Sequence, residues 1–296
     1  MTAGGGPDLV RSERHRRTVV LTIDHPPVNV LSRAVLDRLI ERVGEIADDP
    51  EARVVVLTSA AEKAFAAGAD IREMSSMGPT EALVHGARGQ EATRVLERLP
   101  LPVIAAVHGA CLGGGCEIAL ACDFVLASED ARFGQPEINL GVMPGWGGTR
   151  RLPRRIGAAR ARRWILTGGS VSAQTAAAEG LVDRVVPRAE LFPAALALAD
   201  ELATKPPVAL AAAKYALAAA IDPGLDAGLR YELDLWARLF ATDGQKEGMR
   251  AFLAKQSLVS GPRVRWAEQS TGFPWAADAA PPSGRKGDKR AGPPQG

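Results

Sequence analysis

The sequence is poor in the features that mark several large protein classes. Its 296 residues include three cysteines, Cys111, Cys116 and Cys122, crowded into twelve positions. An odd, clustered set does not make a disulfide framework. A Cys-x4-Cys-x5-Cys run also lacks zinc-ribbon spacing and a nearby histidine tetrad. The three thiols read as small buried residues in a reducing compartment. No run of about 18 apolar residues is present, and the nearest window, 208–221, is interrupted by Lys214. Met1 to Arg17 is Gly-rich and then basic, with no apolar segment to act as a secretory signal, and Asp8 and Glu13 count against a transit peptide. A strong charge of either sign is missing as well. With 36 basic and 34 acidic residues the net charge is +2, which argues against a strongly cationic nucleic-acid binder. Together these absences predict a cytoplasmic protein without a membrane span.

What is present fits a globular enzyme-sized chain. Hydrophobic residues make up 46% and charged residues 24%, values that exclude a wholly disordered or collagen-like protein. The charge is unevenly placed: residues 1–17 carry +2 and 261–296 carry +3, leaving −3 on the stretch between them. Residues 261–296 hold six Pro and six Gly, too little apolar surface to offset their ordering entropy. They are expected to form a disordered basic tail, with Trp266, Phe273 and Trp275 as residues able to dock. Residues 1–17 are expected to be a basic, disordered extension.

Between the ends, short β-branched runs alternate with helical patterns. Thr18–Ile23, Arg53–Ser59, Val103–Val107 and Phe124–Ala127 read as strands buried on both faces. Ser32 is placed to cap a helix through Ile46 whose apolar residues Val35, Leu36, Leu39, Ile40, Val43 and Ile46 share helical spacing. This β-α-β order predicts an α/β fold. Residues 194–220 contain thirteen alanines, and helical periodicity continues over 225–256. One domain is therefore expected, with a core over 18–190 and a helical region over 191–260.

Three segments carry chemistry. Phe65 to Met74 (FAAGADIREM) joins small residues to a helix start. His108 to Glu117 (HGACLGGGCE) sets three glycines at a helix N-terminus, where unpaired N–H groups and the helix dipole suit a phosphate or a developing oxyanion. It matches neither a P-loop nor a dinucleotide fingerprint. Phe133 to Thr149 adds a second carboxylate, Glu137, in a turn-rich stretch. Each segment alone also reads blandly: a loop before a helix, a first-turn acid matching the dipole, an exposed loop acid.

Taken in order, the segments resemble the crotonase family, the enoyl-CoA hydratase/isomerase superfamily. The likeness runs through AFAAGADIREM (64–74), AVHGACLGGGCEIALACDFVLAS (106–128), ARFGQPEINLGVMPGWGGTRRLPRRIG (131–157) and ILTGGSVSAQTAAAEGLVDRVVP (165–187), with HPPVNVLS (25–32) and FATDGQKEGMRAFLAK (240–255) near the ends. The resemblance implies a ββα spiral core with a C-terminal helical trimerisation region, forming homotrimers or homohexamers. It assigns the catalytic acids to Glu117 and Glu137, the oxyanion-hole N–H donors to Ala69 and Gly114, and a water-positioning backbone to Gly145. Ala67, Ala69, Asp70, Ile71, Arg72 and Gly114 become substrate and coenzyme A contacts. The implied reaction is syn hydration of a trans-2-enoyl-CoA to a 3-hydroxyacyl-CoA in fatty-acid or related catabolism. No metal or cofactor is implied beyond the coenzyme A of the substrate. Isomerases of the family can work with a single acid, so the pair of glutamates favours a hydratase, with an enoyl-CoA isomerase or a pathway-specific acyl-CoA hydratase as the alternative.

Other features stay open at this level. Trp146 stands where many relatives have a smaller residue, and either shapes the acyl end of the site or simply packs. Seven arginines between Arg150 and Arg163 read as a solvated helix face, a subunit contact or a phosphate-binding surface. An RNA-binding or scaffold protein built on a crotonase shell with basic tails is the alternative from another class. His15, His25, His85 and His108 form no Ser/His/Asp or Cys/His constellation.

Overall fold

Through the middle of this chain the strands come in pairs, and the members of a pair go to different sheets. The computed structural model describes residues 8–219, 225–254 and 273–274. The first elements are Val10–His15 (β1), Thr18–Ile23 (β2), Val30–Leu31 (β3), Arg33–Ala47 (α1), Val54–Ser59 (β4), Ala64–Ala66 (β5), Gly68–Ala69 (β6), Ile71–Met74 (α2) and Pro79–Arg98 (α3). Next come Val103–Val107 (β7), Ala110–Leu112 (β8), Gly114–Leu120 (α4), Phe124–Ser128 (β9), Arg132–Gly134 (β10), a 3-10 turn over Pro136–Leu140, Gly148–Ile156 (α5) and Ala158–Thr167 (α6). Ser170–Ser172 (β11), Ala173–Glu179 (α7), Arg184–Val186 (β12), Arg188–Ala203 (α8), Pro207–Ala219 (α9), Leu225–Leu239 (α10) and Asp243–Leu253 (α11) complete the order.

One sheet runs β1-β2-β4-β7-β9-β12 and is parallel except for the antiparallel β1–β2 pair. A second runs β11-β10-β8-β5, and β3 and β6 form a small parallel pair. In three successive turns, β4 then β5, β7 then β8, and β9 then β10, the chain lays one strand on each large sheet before moving on. This is the ββα spiral expected from the sequence.

Both faces of the six-stranded sheet are covered, which explains the unbroken apolar runs. Val20, Val54, Val56, Ile104, Ala106 and Leu126 face α8 through Leu191, Ala195 and Ala199. Leu21, Val55, Leu57, Val103, Ala105 and Val125 face the main core with α1 residues Val35, Leu36, Leu39 and Val43. Ser32 caps α1 as expected, its Oγ accepting the Val35 N–H at 3.4 Å. Beyond α8, α9 is pinned by Lys214, 8% exposed, whose Nζ meets Asp123 Oδ2 at 2.8 Å and the carbonyls of Leu96 and Leu101 at 3.2 and 3.0 Å.

The N-terminal stretch departs from expectation. Val10–His15 is not a loose extension but an edge strand in register with β2, with Val10 fully buried opposite Ile23. The reason is electrostatic as much as apolar: Arg11 pairs with Asp24 at 3.1 Å and Arg14 with Asp49. Charged side chains on an edge strand also discourage pairing with other sheets. Of the expected tail, 261–296, only Phe273 and Pro274 lie within the described residues, and Phe273 is buried in the main core. Residues 1–7 lie outside them.

Candidate active site

The site is built from loops that leave three successive turns of the spiral. The first is fixed by Asn29, a fully buried residue at φ +52°. Its Oδ1 accepts the His25 N–H at 2.7 Å, and its Nδ2 faces the Ile23 and Phe65 carbonyls at 3.1 Å and Ser59 Oγ at 2.7 Å. The Ala67 N–H donates to the Val28 carbonyl at 3.1 Å, and Val30 and Leu31 pair with Gly68 and Ala69. Asp70 then caps α2, its Oδ1 accepting the Arg72 N–H at 2.9 Å. Ala67, Ala69 and Asp70 are partly buried at the head of α2, while Ile71 and Arg72 are exposed.

The second loop turns from β8 into α4 at Gly113, whose φ of +52° suits glycine. Gly114 opens α4, so its N–H has no intrahelical acceptor. A methyl group on Gly68 would lie only 3.6 Å from Gly114 N and 3.1 Å from the Leu112 carbonyl oxygen. Gly68–Ala69 and Gly113–Gly114 therefore lie side by side. One turn into α4, Glu117 is 2% exposed, and its Oε1 accepts the N–H groups of Trp146 at 2.8 Å and Gly148 at 2.7 Å. Burial pushes its carboxyl upward, against the pull of those two donors and of the Arg151 guanidinium.

The third loop carries Glu137 in the 3-10 turn. Its Oε1 would lie 3.2 Å from a methyl group on Gly113, so the second carboxylate faces the same glycines. Burial raises Glu137 to about 7; its own backbone N–H opposes the rise and the Glu117 charge adds to it. Gln135, fully buried, stands between the acids. With its amide nitrogen turned to Glu137 it donates to both carboxylate oxygens, at 3.0 and 3.3 Å. A methyl on Gly148 would meet that same end of the Gln135 amide and Glu117 Oε1, each at 3.0 Å. Gly145 is exposed, with its carbonyl accepting from Gln90 Nε2 at 3.0 Å and its N–H unbonded among the described residues.

The structure thus gathers Ala69, Gly114, Glu117, Glu137 and Gly145, with Ala67 and Asp70–Arg72 at the adjoining helix head. Three further residues were not singled out from the sequence. Asn29 and Gln135 are buried polar side chains in loops, and only that burial marks them. Arg151 bonds the Trp146 carbonyl and Thr93 Oγ1, at 3.0 and 3.1 Å, and pairs with Glu97 at 2.7 Å, so it braces the segment that supplies both Glu117 donors. Arg155 likewise turns inward, donating to the Cys122 and Asp123 carbonyls at 2.9 Å. The arginine run is therefore not one solvated face. His108 faces the Ala61 carbonyl and His25 the Val30 carbonyl, so both serve backbone anchoring.

A model of the enoyl-CoA hydratase/isomerase family matches residues 13–259. The chain belongs to that family. Among similar proteins of the enoyl-CoA hydratase/isomerase family, a short-chain-enoyl-CoA hydratase of Clostridium acetobutylicum is 41% identical over 247 residues, 83% of this chain and 95% of the relative. A 2,3-dehydroadipyl-CoA hydratase of Escherichia coli is 43% identical over 82% of this chain and 95% of its own. The crystal structure of enoyl-CoA hydratase from Bacillus anthracis superposes with a TM-score of 0.82 at 37% identity, covering 86% of this chain and all of the other. The chain is thus an enzyme of the enoyl-CoA hydratase type. Among the described residues, no cluster of three His, Cys, Asp or Glu side chains is placed to hold a metal, and no helix is long and apolar enough to cross a membrane.

Proposed function

We propose that Glu117 and Glu137 divide one syn hydration between them at the Ala69–Gly114 backbone. The carrying observation is that the two acids, Glu117 buried and Glu137 half-buried, lie at the same glycine turn but have unlike partners. Burial pushes the Glu117 carboxyl upward, but two fixed backbone N–H groups and a guanidinium oppose that rise and supply partners for its ionised form. Glu137 has its pKa raised to about 7 and so retains a proton more readily. Glu117 takes a proton from water as the water oxygen bonds to the β-carbon of a trans-2-enoyl-CoA. The double-bond electrons move onto the thioester oxygen, where the Ala69 and Gly114 N–H groups receive the charge, each such donor being worth about 3 kcal/mol. Glu137 delivers its proton to the α-carbon, giving the 3-hydroxyacyl-CoA. Proton transfer from Glu117 back to Glu137 restores the starting state.

The Gln135 amide suits this cycle, because it can donate to an ionised Glu137 or, turned over, accept from a protonated one. Gly145, with an unbonded N–H beside the Glu117 donors, orients the water. Ala67, Asp70, Ile71 and Arg72 hold the coenzyme A portion. The reading requires no cofactor beyond that coenzyme A. It includes a cytoplasmic location, supported by three free, buried cysteines, and assembly as trimers or pairs of trimers through the C-terminal helices.

Crotonyl-CoA hydration by wild type, Glu117→Gln and Glu137→Gln tests the assignment. Each variant is expected to lose about 100-fold or more in kcat. Full activity in either one removes the role given to that residue.

A further inference from the structure

The side chain of Trp146 occupies a position that the reaction itself does not explain. It is 4% exposed and wedged between two helices by glycines on either side. A methyl group on Gly114 would come within 2.3 Å of its Cζ3, and one on Gly89, in the middle of α3, within 2.1 Å of its Cε2. Glycine is a poor helix former, and at Gly89 any larger residue would displace the indole. The ring is also in register with the chemistry, since the Trp146 N–H is one of the two donors to Glu117.

From the oxyanion position a bound thioester runs in two directions. The coenzyme A side leads past Gly68 and Ala69 to the head of α2. In the proposed hydratase site the acyl carbons would pass the two carboxylates on the other side of Gly114, where the indole packs between α3 and α4. Behind the indole stands His85 on α3, with ring centroids 5.7 Å apart and planes tilted by 50°. Its Nε2 is buried and has no hydrogen-bond partner among the described residues. His85 also lines a groove of about 700 Å³ between α1 and α3, together with Leu36, Met77 and Val84. The indole and the tilted imidazole therefore lie between Gly114 and the groove that His85 lines.

We propose that Trp146, seated in the Gly89 notch and backed by His85, is the end wall of the acyl site and restricts the enzyme to short-chain enoyl-CoA substrates. This rests on the hydratase reading above and adds the substrate class to it. The wall acts by exclusion: each additional methylene must displace a packed indole, and one misfitted methylene in an apolar pocket changes kcat/KM by about tenfold or more.

The test compares kcat/KM for crotonyl-, 2-hexenoyl-, 2-octenoyl- and 2-decenoyl-CoA in wild type and Trp146→Ala. The wild type is expected to fall about tenfold or more from crotonyl- to octenoyl-CoA. In Trp146→Ala the octenoyl-to-crotonyl ratio is expected to rise by a similar factor. A flat wild-type profile, or a ratio unchanged in the variant, overturns the inference. Should Trp146→Ala not fold, dissociation constants of the wild type for unreactive butyryl-CoA and octanoyl-CoA decide, and octanoyl-CoA binding as tightly as butyryl-CoA overturns it. Crotonyl-CoA hydration with a flat chain-length profile defeats this inference alone. Hydration of no substrate of any length defeats the hydratase reading, and this inference with it.

Discussion

Burial raises the carboxyls of both Glu117 and Glu137, but their hydrogen-bond partners differ, and in the proposed cycle that difference sets how the enzyme responds to pH. In the proposed cycle Glu137 starts protonated, so kcat/KM for crotonyl-CoA is expected to fall as pH rises through about 7. A pH–rate profile checks this, and an alkaline limb that stays level to about pH 9 would contradict it. The same shift acts on stability. The folded-state value of Glu137 lies above the ordinary 4.5, so between those values the folded chain holds a proton that the unfolded chain has released. Stability therefore declines as pH rises across that window. Glu137→Gln is expected to melt about 2–4 °C above wild type at about pH 8, with the gap closing near pH 4 where both forms are neutral. The two acids were legible in the sequence because each sits in a recognisable run. Gln135 and Arg151 were not, because their roles exist only through partners: Glu137 for one, and the Trp146 carbonyl and Glu97 for the other.

At the level of elements, burial on both faces made β2, β4, β7 and β9 easy to read, and the N-cap fixed the start of α1. β1 escaped because five of its six residues are at least partly exposed and three of them are charged. Its place comes from cross-strand register and ion pairs, which composition does not reveal. Lys214 shows the converse. In sequence it only interrupts an apolar stretch, yet in the fold it ties α9 to Asp123 and to two carbonyls, one in the last turn of α3 and one in the segment that joins α3 to β7. Removing one partner of such a pair leaves the other charge poorly compensated. Lys214→Ala is therefore expected to cost about 3 kcal/mol, read as a lower urea midpoint with little change in slope.

At the scale of the whole molecule, the mildly acidic middle and basic ends are a property of the sequence alone, whereas the apolar surface of α10 emerges only in three dimensions. Leu229, Leu233, Trp236 and Phe240 are exposed at helical spacing along one face, an unusual concentration for a chain that stays alone. Light scattering of the full chain is expected to give the mass of three or six subunits, and Leu233→Asp is expected to lower it. A wild-type mass of one chain would reject trimer assembly.

The spiral order has a consequence for how the enzyme comes into being on the ribosome. Ala69 leaves the first turn, Gly114 and Glu117 the second, and Glu137 and the Gly148 donor the third. A nascent chain halted before residue 146 would bury Glu117 with neither of its hydrogen-bond donors in place. Catalysis is thus a late event in biogenesis, and a molecule that turns over substrate certifies that all three coils have been wound.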